Sequence, residues 1–172
     1  MKDKKVVLIF TGMISEKFGA IERYNVEIAR QLLETNLRPI FLYNQMPPSQ
    51  NYLDLLRGFD AEVIELRIDE SYWKMVSNIN KLLNRYKPTI VHTNFHFPQV
   101  RAVIFLAWLK CIPIRLCTIG SMPGNNPKFI SRLWYRLLAI MSTKILTVSD
   151  AIRNALIEKF QLKRKDVETL RR

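Results

Sequence analysis

KPTIVHTNFHFPQVRAVIFLAWLKCIPIRLCTIGS, residues 87–121, holds the pattern that decides the fold. Two short apolar runs, 89–92 and 113–118, bracket an apolar stretch at 98–110 that is long enough for three helical turns. Pro88 and Pro113 stand at the junctions, where a missing N–H disturbs neither ladder nor helix. The two runs are continuous rather than alternating, as a strand buried on both faces requires. A strand, a crossover helix and a second strand in this order make a parallel unit.

The same alternation extends outward in both directions. Further strands are expected at 5–11, 39–43, 62–66 and 144–148, and further helices at 20–35, 52–57, 72–86, 128–142 and 150–160. In the 20–35 segment Ile21, Tyr24, Ile28 and Leu32 recur at helical spacing, with Glu22, Arg23, Glu27 and Arg30 elsewhere. Ser149 offers a side-chain cap to the last helix. The pattern predicts an α/β chain: a single Rossmann-like domain, a mostly parallel sheet with helices on both faces. With no repeat, low-complexity tract or linker, one domain covers residues 1–172.

Composition agrees with a soluble globular protein, 48% hydrophobic and 24% charged. The apolar runs near the N-terminus and at 103–109 are too short for a secretory signal or a spanning helix, so a cytoplasmic location is expected. Cys111 and Cys117 are too few and too close for a disulfide framework, and both read as buried thiols. The net charge of +12, from 27 basic and 15 acidic residues, predicts an anionic partner: nucleic acid, an acidic membrane leaflet or a phosphorylated ligand. From Lys128 onward 11 basic residues face four acidic ones, a local charge of +7 across 45 residues.

Ligands of open parallel sheets bind beyond the carboxyl ends of the strands, so the residues that follow each strand are the candidates. Gly12 follows the first strand, and Gly19 opens the helix after it, either as an anion-friendly turn or as an ordinary helix start. The segment 92–96 gathers His92, Asn94 and His96. Its histidines suit acid–base work or hydroxyl orientation, or else one is satisfied by backbone and the other lies at the surface. No third ligand at metal spacing accompanies them, so no metal site is expected. Gly120 and Ser121 open a loop after the fifth strand, and Ser149 follows the sixth. No nucleophile elbow or dinucleotide fingerprint is present.

Read in order, these junctions resemble glycosyltransferase family 4, retaining enzymes of the GT-B fold. KKVVLIFTG with FGAIERYNVEIARQLLETN resembles the family's first strand, Gly-Gly-x-Glu-Arg turn and first helix. The 87–121 stretch resembles its central His-x-His strand, helix and Thr-x-His-Gly strand end. TKILTVSDAIRNALIEKFQL resembles its Val-Ser-Glu segment and helix. The resemblance implies the acceptor-side N-terminal half of an enzyme that transfers a sugar from a nucleotide-sugar to a glycan or lipid-linked acceptor. It places Gly19 near donor phosphates, His92 and Asn94 on the acceptor side, and Ser149 near the interdomain cleft. Three positions depart from it: Ala20 replaces a second glycine, Asn94 a histidine, and Gly120 a histidine that contacts the reacting sugar.

The nucleotide-sugar-binding half is missing from this sequence, so the resemblance implies no catalytic residue here and no activity of the chain alone. The nucleotide-sugar would be a substrate; no cofactor is implied. A separately encoded donor-binding subunit is the partner that follows, unless the chain is a non-catalytic remnant. The segment 127–144, PKFISRLWYRLLAIMSTK, sets Arg132, Trp134 and Arg136 on a basic amphipathic helix. Such a helix suits the acidic inner face of a membrane, or equally a helix packed on the sheet with its cationic face in water. A nucleic-acid-binding module is the remaining alternative, but the basic residues are dispersed and no recognition motif accompanies them.

Overall fold

The computed structural model describes residues 4–11, 18–66, 71–94, 98–124 and 128–170. The chain forms β1 (Lys5–Phe10), α1 (Ala20–Leu33), β2 (Leu37–Tyr43), α2 (Gln50–Gly58), β3 (Glu62–Glu65), α3 (Tyr72–Tyr86) and β4 (Ile90–Asn94). It continues through α4 (Pro98–Leu109), β5 (Ile114–Ile119), α5 (Phe129–Met141), β6 (Lys144–Thr147), α6 (Asp150–Phe160) and β7 (Val167–Thr169). The strands form a parallel sheet in the order β3-β2-β1-β4-β5-β6-β7. The α/β, Rossmann-like expectation is thereby met, and no strand pair in it runs antiparallel. Two compact units divide the chain, Met1–Ile90 and Val91–Arg172.

In the first unit Leu8 pairs level with Ile40 and Ile9 with Phe41, and β2 continues the register into β3. Alternate residues of a strand face opposite sides. Val7, Ile9, Phe41 and Tyr43 therefore share one face, where Ala29 of α1 and Tyr52 and Leu56 of α2 cover them. Leu8, Phe10, Ile40 and Leu42 face the other way and are equally buried, which explains why these strands are continuous apolar runs. Full burial of a side chain such as Phe41 contributes about 1.5–3 kcal/mol. Inside the first face, Asn25 Nδ2 donates to the hydroxyls of Tyr43 at 3.0 Å and Tyr52 at 3.3 Å, and those two hydroxyls bond each other. Burial raises both phenol pKa values, so the triad is neutral and ties α1, β2 and α2 together. At the opposite end Glu62 accepts from Arg38 at 3.0 Å and from Tyr86 at 2.7 Å.

In the second unit Cys117, Ile145 and Val167 lie level across β5, β6 and β7. They are covered by Ile104 of α4, Leu138 and Met141 of α5, and Ile152, Leu156 and Phe160 of α6. Ser149 caps α6 as expected, accepting from the Ile152 N–H at 3.3 Å. Strand β7 was not foreseen, because Val167–Thr169 is three residues long, polar in two of them, and paired with β6 alone. The expectation for the cysteines holds only for Cys117. It is buried and its thiol is pushed up to about 11, whereas Cys111 is exposed at a left-handed turn that ends α4. Among the described residues no helix is long and apolar enough to cross a membrane.

Helix α3 ends on Lys87, which adopts φ 42° in the left-handed region while its N–H bonds the Leu83 carbonyl. A side chain there costs about 1–2 kcal/mol that glycine does not incur, partly offset by glycine's freer unfolded state. Lys87→Gly should therefore raise stability by about 0.5–1 kcal/mol. A urea midpoint that falls instead would show that the lysine side chain holds the helix end.

Candidate functional site

Strands β4, β5 and β6 run in one direction, so within the second unit their carboxyl ends share an edge. His92 lies near the end of β4, buried, with Nε2 2.8 Å from the Thr118 hydroxyl oxygen at the end of β5. Thr93 Oγ1 donates to the Leu116 carbonyl at 3.3 Å, and Asn94 is wholly buried. Burial lowers the His92 pKa to about 4. The ring is therefore neutral at physiological pH and is suited to holding Thr118 in place rather than to exchanging protons.

Gly120 follows β5 directly and is half-buried, while Ser121 is exposed. Ile119 is level with Thr147, so the turns that carry Gly120 and Ser149 leave the sheet side by side. Ser149 Oγ is committed to its helix cap, and Asp150 Oδ1 accepts from the Thr169 hydroxyl at 2.5 Å. This edge is polar, and no Asp or Glu precedes Asp150 on it: the sequence has none from Ser71 to Ser149. It can orient hydroxyl-bearing ligands through hydroxyls and backbone groups. Its described histidine, His92, is buried and neutral and so is not suited to general acid–base catalysis.

In the first unit Thr11 is buried beyond β1, with both its N–H and its hydroxyl donated to the Leu42 carbonyl, at 3.1 and 2.9 Å. Gly19 stands at the start of α1, and its N–H donates to Glu22 Oε2 at 2.8 Å. The helix's own carboxylate thus occupies the Gly19 N–H, as in the backbone half of a capping box. Gly12 and His96 lie outside the described residues.

Helix α5 packs on the core through Leu138 and Met141 and turns both apolar and basic side chains to solvent. Phe129, Ile130, Leu133, Trp134, Leu137 and Ile140 are all exposed. Arg132 is exposed beside them. The Arg101 guanidinium lies over the Trp134 ring, 5.2 Å from its centroid. Arg136 is exposed too, with Nε donating to the Phe160 carbonyl at 3.4 Å and its guanidinium also to Gln161 Oε1. A cavity of about 590 Å³ lies along β6, β7 and α6, lined by Lys144, Leu146, Arg153, Arg164 and Glu168 among others. None of the residues singled out from sequence lines it. Among the described residues no group of three His, Cys, Asp or Glu could hold a metal ion.

Sequence reasoning missed two partners. Glu22 was legible in principle, three residues after Gly19 in the spacing of a capping box. Thr118 was not, because its approach to His92 depends on where β4 and β5 lie beside each other.

The buried imidazole makes stability depend on pH. Its pKa falls from an ordinary 6.5 to about 4 on folding, so the unfolded chain takes up the proton first as pH drops. The contribution is complete above pH 6.5 and is lost progressively as pH falls from 6.5 towards 4. Its size is about 3 kcal/mol. Urea titrations across this range should show the loss, and His92→Gln should flatten it; an unchanged slope in the variant would assign the effect to another group. Thr118→Val should cost about 1–3 kcal/mol by leaving the His92 Nε2 unpartnered.

With this geometry in place, the comparisons with known proteins agree. No curated protein matches the chain in sequence. Among solved structures, a glycosyltransferase from Rickettsia africae is similar at 21% identity and a TM-score of 0.72, covering 99% of this chain and 43% of that one. The UDP-GlcNAc 2-epimerase of Neisseria meningitidis, bound to UDP-GlcNAc, is similar at 18% identity and a TM-score of 0.61, covering 96% of this chain and 46% of that one. Anabaena HepE in complex with UDP is similar at 13% and 0.56, covering 96% and 43%. At these identities the likeness is one of fold, and the chain spans less than half the length of each. The sequence model described as Glycosyltransferase Family 4 matches residues 21–172. That match covers most of the chain, and it places the chain in the family: the protein belongs to Glycosyltransferase Family 4.

Proposed function

We propose that this chain is the acceptor-side domain of an enzyme that transfers a sugar from a nucleotide-sugar to a glycan or lipid-linked acceptor. In this reading the chain does not turn over alone. The observation that carries it is the chemistry of the carboxyl edge in the second unit. Gly120, Ser121 and Ser149 offer small polar groups, while His92 beneath them is neutral and bonded to Thr118. Such an edge orients a hydroxyl-bearing ligand. Breaking a glycosidic bond to a nucleoside diphosphate develops charge on both the sugar and the leaving group, and that charge needs preorganised groups around it. Nothing at this edge carries a negative charge before Asp150, and Gly19 is already engaged by Glu22. In this reading the charged groups come from a donor-binding half, on a longer chain or on a separate subunit. The two similar structures that contain UDP or UDP-GlcNAc, each more than twice as long as this chain, support a nucleotide-sugar as donor.

Two measurements test the reading. The purified chain incubated with UDP-sugars should release no nucleoside diphosphate above background; turnover by the chain alone would refute its dependence on another half. In amide NMR spectra, sugar acceptors at millimolar concentration should shift Gly120, Ser121 and Ser149, whereas UDP-sugars should not. The opposite pattern would make this edge a donor site.

A further inference from the structure

Helix α5 carries two apolar faces, and only one of them is used by the fold. Leu138 and Met141 are buried and Tyr135 and Ala139 pack beside them, with the Tyr135 ring centroid 4.1 Å from that of Phe160. On the opposite side, Phe129 is 80% exposed, Ile130 65% and Ile140 67%, with Leu133 and Leu137 between them. At 3.6 residues per turn these five side chains fall within an arc of about 100°. A surface helix ordinarily turns charged and polar groups to that side. Exposing five large apolar side chains to water forgoes the stabilisation that burial would bring, so the arc is suited to a phase it can enter.

Charge identifies that phase. From Ser71 to Ser149 the sequence contains no Asp or Glu and 11 Lys or Arg, so +11 of the net +12 resides in 79 residues; the rest of the chain has 16 basic and 15 acidic residues. Arg132 and Arg136 flank the exposed arc, Lys128 precedes the helix, and all three are exposed. A lipid bilayer with acidic headgroups has the matching profile, negative at the surface and apolar beneath it. Each basic residue held at such a surface adds about 1 kcal/mol, and apolar side chains that enter the acyl boundary add to it.

We propose that the outward face of α5 docks this protein on an anionic lipid bilayer, with Phe129, Ile130 and Ile140 entering the acyl boundary and Lys128 and Arg132 meeting headgroup phosphates. Arg136 is exposed as well, and its bonds to Phe160 and Gln161 tie α5 to the end of α6. Phe129 and Ile130 stand at the end of α5 that the 120–128 connection joins to β5. On the reading given under Proposed function, such docking favours an acceptor carried on a lipid.

The test is flotation of the full chain with vesicles of phosphatidylcholine alone and of phosphatidylcholine with about one third phosphatidylglycerol. The expected result is at least tenfold more protein on the anionic vesicles. F129S with I130S should lose that binding at least tenfold, with circular dichroism and Tm unchanged because both side chains are exposed. R132Q should weaken it less. Failure to bind anionic vesicles, or equal binding to both kinds, overturns the proposal. So does binding that survives F129S with I130S, which would be adhesion by charge alone. A dimer in light scattering that the same double variant dissociates, with no vesicle binding, would assign the face to a second copy and also overturn it. Flotation involves no sugar transfer, so its failure leaves the acceptor-domain reading standing, and the failure of that reading leaves the docking face standing.

Discussion

A strand buried on both faces can be satisfied only by apolar side chains pointing both ways and by a ladder on each side, and most of this structure follows from that constraint. Leu8 and Ile9, neighbours in β1, are both fully buried although they face opposite sides of the sheet. Parallel pairing then requires each connection to cross over the sheet, which the helices do. Because the strands point one way, the turns at their carboxyl ends are released from the packing that governs the rest of the chain. Polar residues that would be costly in mid-strand collect there.

The polar groups nearest that edge are divided between support and contact. His92 and Thr118 are buried and satisfy each other, as do Thr11 and the Leu42 carbonyl in the first unit. Their burial is tolerable because each is hydrogen-bonded and none is charged. Gly120 and Ser121, one residue further out, have surface to offer. The same economy governs the helix starts: Ser149 and the Gly19–Glu22 pair spend their hydrogen-bonding groups on the helices they begin.

Charge is distributed by a different rule. Over the middle of the chain acidic residues are absent altogether, although the helices there are solvated enough to carry them. The acidic residues that form ion pairs lie outside that stretch, as in Lys4–Asp60, Arg38–Glu62 and Lys144–Glu168. A long positive surface costs some stability through self-repulsion, a cost offset where an anionic phase is at hand.

The positions of six strands and six helices were legible in the sequence, because apolar periodicity is a local property that burial on two faces imposes residue by residue. The seventh strand was not: Val167–Thr169 owes its place to β6 and has no apolar run of its own. Cys111 read as buried because its neighbours in sequence are apolar, yet the left-handed turn after α4 sets it in water. By itself the sequence determined the parallel α/β architecture, the family and the location of polar groups at strand ends. Only the tertiary structure decided that His92 is neutral and bonded to Thr118, that Glu22 closes the Gly19 N–H, and that α5 turns apolar side chains outward. Each of those depends on which residues meet across strands or on which side of a helix the core happens to lie, and neither is written in the spacing of residues along one element.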